Sequence, residues 1–520
     1  MISLDGHSLS LNAVIRASRF NENVELSQSA KAAMQKSQEN LQAIIAQSKP
    51  VYGLNTGFGI FADRTITRAE SQQLNRNLIL SHAVGTGNPL PQEVVRAAML
   101  IRANSLAKGY SGIKTDMVHV LLEMLNKGVI PVVYDKGSLG SSGDLCMLAQ
   151  MALVASTSPQ EKESESGFAV YQGEVMSGRA AMQKAGIERL TLSDKDGLAL
   201  INGATFSAAL LALAVYDSAY LCYLGDLAAA LSFEALLART DPLHPELHQA
   251  RELAGQIDSA ANISHFLEDS TFVNAHHQVQ DAYSLRCAPQ VHGAVRDTLG
   301  FVQSTVTREI NAATDNPLIV GEGLAISGGN FHGEAVGMNA DFLSIALSEL
   351  SGISERRTFR LMDSHLNNGL PAMLVGNAEK AGLNSGIMML QYTAASLVLE
   401  NQTLCSPDSV RSLPTSANQE DFNANAYNAA WHLHQVLENA AKIICIEIYT
   451  ACRAIDLRRN AMPKLCLGRE TAEVYDWVRA LIPYQDGDAY WKEEIDLLQE
   501  ELIYKKNFRE TFYNTELTKA

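Results

Sequence analysis

The sequence predicts a mainly α fold, a bundle of long helices with a smaller N-terminal α domain that carries a Gly/Ser loop. Three observations lead there. After Gly203 the chain runs in long stretches rich in Ala and Leu, near 204–236, 290–312, 335–366, 383–403 and 426–456; such lengths suit a bundle of long helices better than a mixed sheet. Before them, shorter stretches repeat apolar residues at helical spacing. With 47% hydrophobic and 19% charged residues over 520 positions, the chain is globular and able to bury a large core. The division expected is an N-terminal domain at 1–200, a central long-helix bundle at 201–465 and a helical cap at 466–520.

Taken in order, residues 1–50 hold a short lead-in and a helix at 27–48. Val51-Tyr52-Gly53-Leu54-Asn55-Thr56-Gly57-Phe58-Gly59 follows, and its clustered glycines make it a loop. Helical spacing returns at 72–81 and 92–107. Met117, Leu121 and Leu125, with Val118 and Leu122 beside them, mark another helix that Gly128 and Pro131 stop. Residues 155–195 are the most polar and strand-like part, with 156–167 expected to be an exposed loop. The most apolar segment, 204–224, contains Asp217 and is bounded by Asp226, so it reads as a buried core helix rather than a membrane span. Residues 470–520 are more charged and carry Trp477 and Trp491, as a peripheral helical cap would.

The formal net charge of −16 disfavours nucleic acid or an anionic membrane as partner. Cysteines stand at 146, 222, 287, 405, 445, 452 and 466, an odd number without Cys-x-x-Cys spacing. A reduced, cytoplasmic protein is the simplest expectation. Residues 1–11 lack the basic and apolar regions of a signal peptide. His276-His277 and His432-x-His434 have no Cys or acidic partner at a recognised ligand spacing, so no metal is expected.

The loop Gly137-Ser138-Leu139-Gly140-Ser141-Ser142-Gly143-Asp144 carries the most specific chemistry. It lies between the hydrophobic run 129–134 and the apolar, helix-like run 145–154. In a tight turn the Gly143 nitrogen, unshielded by any side chain, can attack the Ser141 carbonyl carbon. Loss of water closes a five-membered ring, and loss of the Ser142 hydroxyl leaves an exocyclic methylene. The product, a 4-methylidene-imidazol-5-one, is an electrophile in a chain of nucleophiles. Its formation needs a compressed backbone of the kind stored at functional sites.

Other stretches are less specific taken singly. Tyr52 sits in the glycine-rich loop as either a packing anchor or a general base. The second role needs a neighbourhood that lowers its ordinary pKa of about 10. Asn202-Gly203 follows the apolar run 198–201. Gln280 precedes Tyr283 and Arg286, which share a face if the segment is helical. Arg286 suits either a structural salt bridge or a bidentate grip on a carboxylate. Gly328-Gly329-Asn330-Phe331-His332-Gly333 is a loop open to close backbone approach, and Ser416-Ala417-Asn418-Gln419-Glu420-Asp421 alone would pass for a helix N-terminus.

Together and in this order, these motifs resemble the histidine/phenylalanine/tyrosine ammonia-lyase family across nearly the whole chain. The family's tripeptide is usually Ala-Ser-Gly, so Ser141 is a departure, and only its carbonyl enters the ring. The resemblance implies that Tyr52 takes the substrate's β-proton and that Arg286 grips its α-carboxylate. It also implies that Asn202, Gln280 and Tyr283 support substrate and cofactor, that Phe331 packs beside the ring, and that His82 and Glu420 line the pocket. The histidine-specific branch has a histidine after a serine and a glutamate in the Asn-Gln-Glu-Asp motif, here Ser81-His82 and Glu420. The phenylalanine and tyrosine branches usually carry glutamine in place of Glu420. The implied activity is therefore loss of ammonia from L-histidine, giving trans-urocanate. Phe422, Ser406 and Cys146-Met147 depart from that branch, and the alternative is a tyrosine, phenylalanine or DOPA ammonia-lyase or a related aminomutase. A further implication is a homotetramer whose sites combine residues from three chains. A non-enzymatic helical scaffold would have no need of a Gly-Ser-Ser-Gly turn framed by apolar structure.

Overall fold

The computed structural model describes residues 1–47, 51, 53–57, 64, 66–67, 70–321 and 323–513. Tyr52, the expected general base, lies outside the described residues. The described chain is mainly α, as expected. Its compact units are two, and each draws on separate stretches: 1–214, 303–341 and 407–431 in the first, and 215–302, 342–406 and 432–520 in the second. The expected span 1–200 lies within the first unit, 201–465 is divided between both, and 466–520 lies within the second.

In the first unit, helices form where apolar residues repeat at helical spacing. They cover Gln28–Ala46, Ser71–His82, Gln92–Ala107 and Thr115–Lys127. Ser27 caps the first by accepting from the Ala30 amide at 3.0 Å. Gly128, at φ +74°, ends the last in a left-handed turn. Gln92–Ala107 is the centre of this unit: from Val94 onward every residue is buried, and it packs against Leu11–Arg19 and Thr115–Lys127. Leu145–Ala155 packs against Ser71–His82 and Asp196–Ile201. The strands are short. Ile2–Leu4 pairs in parallel with Val24–Leu26, and Ile130–Pro131, Phe168–Tyr171 and Glu174–Ser177 form a three-stranded antiparallel sheet.

The segment 156–167 is exposed at Pro159, Gln160, Lys162, Glu163 and Ser164, as expected, but is anchored at Glu161. The Glu161 carboxylate is almost wholly buried and accepts from Arg76, Arg179 and Arg189, with N–O distances of 2.9 Å from Arg76 and 3.0 Å from Arg179. Three guanidinium groups compensate its desolvation and fasten the loop.

The second unit is helical. Thr205–Ala235 begins in the first unit and continues here, and its most apolar window is 83% buried, as expected of a core helix. Asp226 accepts from His292 Nδ1 at 2.7 Å and Arg296 Nη2 at 2.5 Å, while Arg357 and Glu447 form a second ion pair with no exposed side-chain surface.

Glu234 sits buried in the same unit, its Oε1 accepting from the Gly468 amide at 2.7 Å, with Ser270 and Thr471 beside the carboxyl. Burial pushes its carboxyl up to about 7. A carboxyl raised in the folded state favours folding most when protonated, so this contribution is complete below about pH 4.5 and is lost as pH rises toward about 7. Glu234→Gln keeps the acceptor and removes the charge. It is expected to stabilise the protein by about 1–3 kcal/mol above pH 7 and to change little below pH 4.5. Denaturant midpoints at the two pH values check this.

Candidate functional site

The site is built on the loop at 137–144, which is held against the start of the helix Thr205–Ala235. Asp144 is fully buried. Its carboxylate accepts from the Ser207 amide at 2.8 Å, the Ser207 hydroxyl at 3.0 Å and the Ser138 hydroxyl at 2.7 Å. It thereby satisfies an otherwise unpaired amide in the helix's first turn, at the end whose dipole favours negative charge. Burial pushes the Asp144 carboxyl above its ordinary range, against the lowering pull of these serine bonds.

Backbone contacts complete the attachment. Gly143 bridges Gly203, the Asp144 amide donates to the Gly203 carbonyl at 2.9 Å, and the Gly203 amide donates to the Ser142 carbonyl at 3.3 Å. Gly143 has φ +86°, and a Cβ there would lie 2.1 Å from the Gly203 backbone. Gly203 has φ +126°, and a Cβ would meet the Thr314 hydroxyl at 2.5 Å. Only glycine fits either position.

Asn202 ends the helix Asp196–Ile201 and is aimed at the loop, its Nδ2 donating to the Ser142 carbonyl at 2.9 Å. Arg102, wholly buried, positions it by donating to the Asn202 carbonyl at 2.6 Å and to the Ala199 carbonyl. Burial draws the Arg102 guanidinium down to about 10, so it stays charged at neutral pH. The Asn202 Oδ1 is buried without a partner among the described residues.

Ser141 accepts the Ala424 amide on its hydroxyl at 2.9 Å, and Ser142 donates its hydroxyl to Glu420 Oε1 at 2.8 Å. Ser416–Asn418 does not begin a helix; Ser416, Ala417 and Asn418 are all left-handed, and the helix starts only at Ala426. His82 Nδ1 lies 2.8 Å from the Leu78 carbonyl, a pairing that puts the proton on Nδ1 and leaves Nε2 unprotonated in the neutral ring.

These residues surround a cavity of about 980 Å³ lined by His82, Ser141, Ser142, Asn202, Phe331 and Glu420, all within the first unit. The lining also includes Arg64, Asn77, Asn316, His332 and Phe422. Arg64, Asn77 and Asn316 stand in no sequence motif, so only their place in the fold brings them to the cavity. Asn316 accepts the Gly328 amide at 2.7 Å, a contact that orders the glycine loop before Phe331. His332 stacks on Phe422, with ring centroids 6.4 Å apart, and donates Nε2–H to its carbonyl at 3.1 Å.

Gln280, Tyr283 and Arg286 belong to the second unit and are not among the residues lining this cavity. Tyr283–Arg286 is a single helical turn, the condition under which the two residues share a face, with the Arg286 guanidinium 4.4 Å from the centre of the Tyr283 ring. Tyr283 is exposed, and Arg286 Nε is buried without a partner among the described residues.

Comparison with known proteins supports one family. The aromatic amino acid lyase family model matches residues 9–480. The histidine ammonia-lyase of Alkaliphilus oremlandii is 46% identical over 481 residues, 92% of each chain. The crystal structure of histidine ammonia-lyase from Trypanosoma cruzi superposes with a TM-score of 0.88 at 36% identity, covering 98% of this chain and 94% of that one. Tyrosine aminomutase from Streptomyces globisporus gives a TM-score of 0.91 at 32% identity over 99% of both chains. A match over nearly the whole length, on a fold whose glycine contacts hold a Ser-Ser-Gly turn in a walled cavity, places the chain in the aromatic amino acid lyase family.

Proposed function

We propose that this chain removes ammonia from L-histidine and releases trans-urocanate, using a 4-methylidene-imidazol-5-one made from its own Ser141, Ser142 and Gly143. The arrangement around Ser142 carries this reading: its carbonyl accepts from Asn202 and Gly203, and its hydroxyl is held by Glu420. The loop fits the ring, because Gly143 presents an unshielded nitrogen in a left-handed turn pressed against Gly203. Once formed, the ring supplies an electrophilic methylene that takes the substrate amine and makes it a leaving group.

The chain's own groups do the rest. Asn202 Nδ2 and the Gly203 amide point at the Ser142 carbonyl oxygen, the atom conjugated to that methylene, and stabilise negative charge there. The unpartnered Asn202 Oδ1 is an acceptor for the substrate's ammonium. Tyr52 is assigned the β-proton as general base. Glu420 accepts a charge-assisted hydrogen bond from the imidazole, with His82 and Phe331 packing the pocket. Arg286 holds the α-carboxylate, with Tyr283 and Gln280 beside it. These three are assigned to the site within a cytoplasmic homotetramer whose sites combine three chains. Met389, Tyr392 and Leu399 support an assembly: they stand 58–65% exposed on the helix Met388–Leu404, an apolar surface in need of cover. A sedimentation mass of one chain at micromolar concentration would contradict it.

Phe422 favours a second reading. It lines the cavity at 63% exposure and stacks on His332, so a phenyl or phenol ring is also accommodated, in a tyrosine, phenylalanine or DOPA lyase or an aminomutase. A panel of histidine, tyrosine, phenylalanine and DOPA separates the readings, with product acids followed by ultraviolet absorbance and β-amino acids by chromatography. Histidine is expected to give the highest kcat/KM. A clear preference for tyrosine, or a β-amino acid product, would replace the first reading with the second.

Arg286→Lys is expected to lower kcat/KM by about 10- to 150-fold, or about 1.5–3 kcal/mol, since a point charge replaces the planar fork. Unchanged kinetics would remove Arg286 from the site.

A further inference from the structure

Arg286 can grip a carboxylate only if the turn that carries it holds still, and that turn has little structure of its own. Tyr283–Arg286 is four residues long, and its N-cap, Ala282, has no polar side chain to offer the turn's free amides. Tyr283 is exposed. Two contacts with the interior anchor the turn: Leu285 is wholly buried, and the Ser284 carbonyl accepts from Arg357 Nη1 at 3.3 Å. We infer that Arg357, gripped by Glu447, is the positioning residue of the Tyr283–Arg286 turn and sets the aim of the Arg286 guanidinium on the substrate's carboxylate. This rests on the reading of Arg286 given above.

Arg357 is itself held from several sides. It stands on the helix Glu334–Met362, and Glu447 on the helix Ala426–Ala461; neither side chain has exposed surface. Arg357 Nε meets Glu447 Oε1 at 2.5 Å and Nη2 meets Oε2 at 2.8 Å, a bidentate pair that leaves Nη1 free to point elsewhere. Nη1 reaches the Ser284 carbonyl and, at 3.4 Å, His292 Nε2. That nitrogen accepts only when the imidazole proton sits on Nδ1, and Nδ1 lies 2.7 Å from Asp226 Oδ1, which favours that tautomer. Burial lowers the His292 pKa against the pull of Asp226, so the ring is neutral between two balanced ion pairs, Asp226–Arg296 and Glu447–Arg357. The Ser232 hydroxyl donates to Glu447 Oε1 at 2.7 Å and the Ser259 hydroxyl to Asp226 at 2.6 Å. Every residue of this network lies in the second unit, as the turn does.

A buried ion pair alone is often no more stable than an apolar pair of the same size. The third nitrogen of Arg357 gives this one a second task, which neither an apolar residue nor the single ammonium of lysine performs together with the grip on Glu447. The turn is short enough for one contact to matter. The Arg286 guanidinium lies 4.4 Å from the centre of the Tyr283 ring, and Arg286 Nε is buried, so a shift of the turn carries both side chains with it. A displacement of about 1 Å in a group that orients substrate costs up to about a hundredfold in rate.

The test uses the full chain and the inhibition of L-histidine turnover by two ligands: trans-urocanate, which keeps the carboxylate, and histamine, which lacks it. Should the substrate panel select another amino acid, its unsaturated acid and its decarboxylated amine take their places. Arg357→Lys keeps the charge opposite Glu447 but has no fork to reach Ser284 as well. It is expected to raise the inhibition constant of trans-urocanate about tenfold and that of histamine less than about twofold. A merely structural loss raises both alike; that result, or no change in either, would overturn the inference. Arg286→Lys/Arg357→Lys is expected to bind trans-urocanate within about twofold of Arg286→Lys, because Arg357 acts through Arg286. Additive losses would also overturn it. Far-ultraviolet circular dichroism checks folding. Should Arg357→Lys fail to fold, Arg357→Met/Glu447→Leu removes both buried charges and takes its place, with the same expected split. If that chain also fails to fold, the pair is a requirement of the fold and the inference falls. Arg286→Lys that binds trans-urocanate as wild type does counts against the Arg286 reading itself, a distinct result.

Discussion

Ser142→Ala is expected to abolish turnover while leaving the fold intact. Alanine keeps the backbone bonds from Asn202 and Gly203 to the residue 142 carbonyl, and it loses only the side-chain bond to Glu420. With no hydroxyl to expel, no methylene forms. The loss in kcat is expected to be about three orders of magnitude or more, the scale seen when a covalent catalytic group is removed. The near-ultraviolet difference absorbance of the conjugated ring should vanish with it. Ser141→Ala is the control: only the Ser141 carbonyl enters the ring, so activity persists. Its hydroxyl does accept the Ala424 amide at 2.9 Å, so a stability cost of about 1 kcal/mol is expected. Ser142→Ala protein turning over at a rate near wild type would end the cofactor proposal.

Asp315→Ala is expected to give the largest loss of stability among the substitutions considered. Lys195 and Asp315 form an ion pair in which neither side chain has exposed surface. Burial draws the Lys195 ammonium down, and Asp315 opposes that pull. Removing the carboxylate leaves a buried ammonium with Arg102, another buried cation, nearby. The expected cost is about 3–5 kcal/mol. Asp315 also precedes Asn316, which lines the cavity, so activity is expected to fall with stability. The double replacement Lys195→Met/Asp315→Leu removes both charges and is expected to recover most of the stability. Denaturant unfolding of the single and double variants checks this, and a double variant no more stable than Asp315→Ala would mean the pair is worth more than its apolar substitute.

The helices were legible because their cause is local. Ser27 with its apolar repeat produces Gln28–Ala46, and Gly128 ends Thr115–Lys127 through a left-handed turn available to it without a side chain. The Ser141-Ser142-Gly143 loop was legible for a related reason: the ring proposed for it would use atoms of adjacent residues, which stand in consecutive positions. Asn202 could be named as a site residue through its motif, but its partner could not. The polar composition of 156–167 predicts exposure, which Pro159, Gln160 and Lys162 show, but it does not reveal that three arginines gather around Glu161.

The sequence by itself determined the helical class and carried the resemblance that named His82, Ser141, Ser142, Asn202, Phe331 and Glu420 among the residues lining the cavity. Only the tertiary structure decided that Glu420 holds the Ser142 hydroxyl across 278 positions, that Asp144 caps a helix through Ser207, and that Lys195 finds Asp315 120 residues away. Hydrophobic periodicity records which face of a segment is buried, because burial is nearly additive along the chain. A buried charge or hydroxyl is stable only against one particular partner at hydrogen-bonding distance, and no local pattern records which distant residue that is.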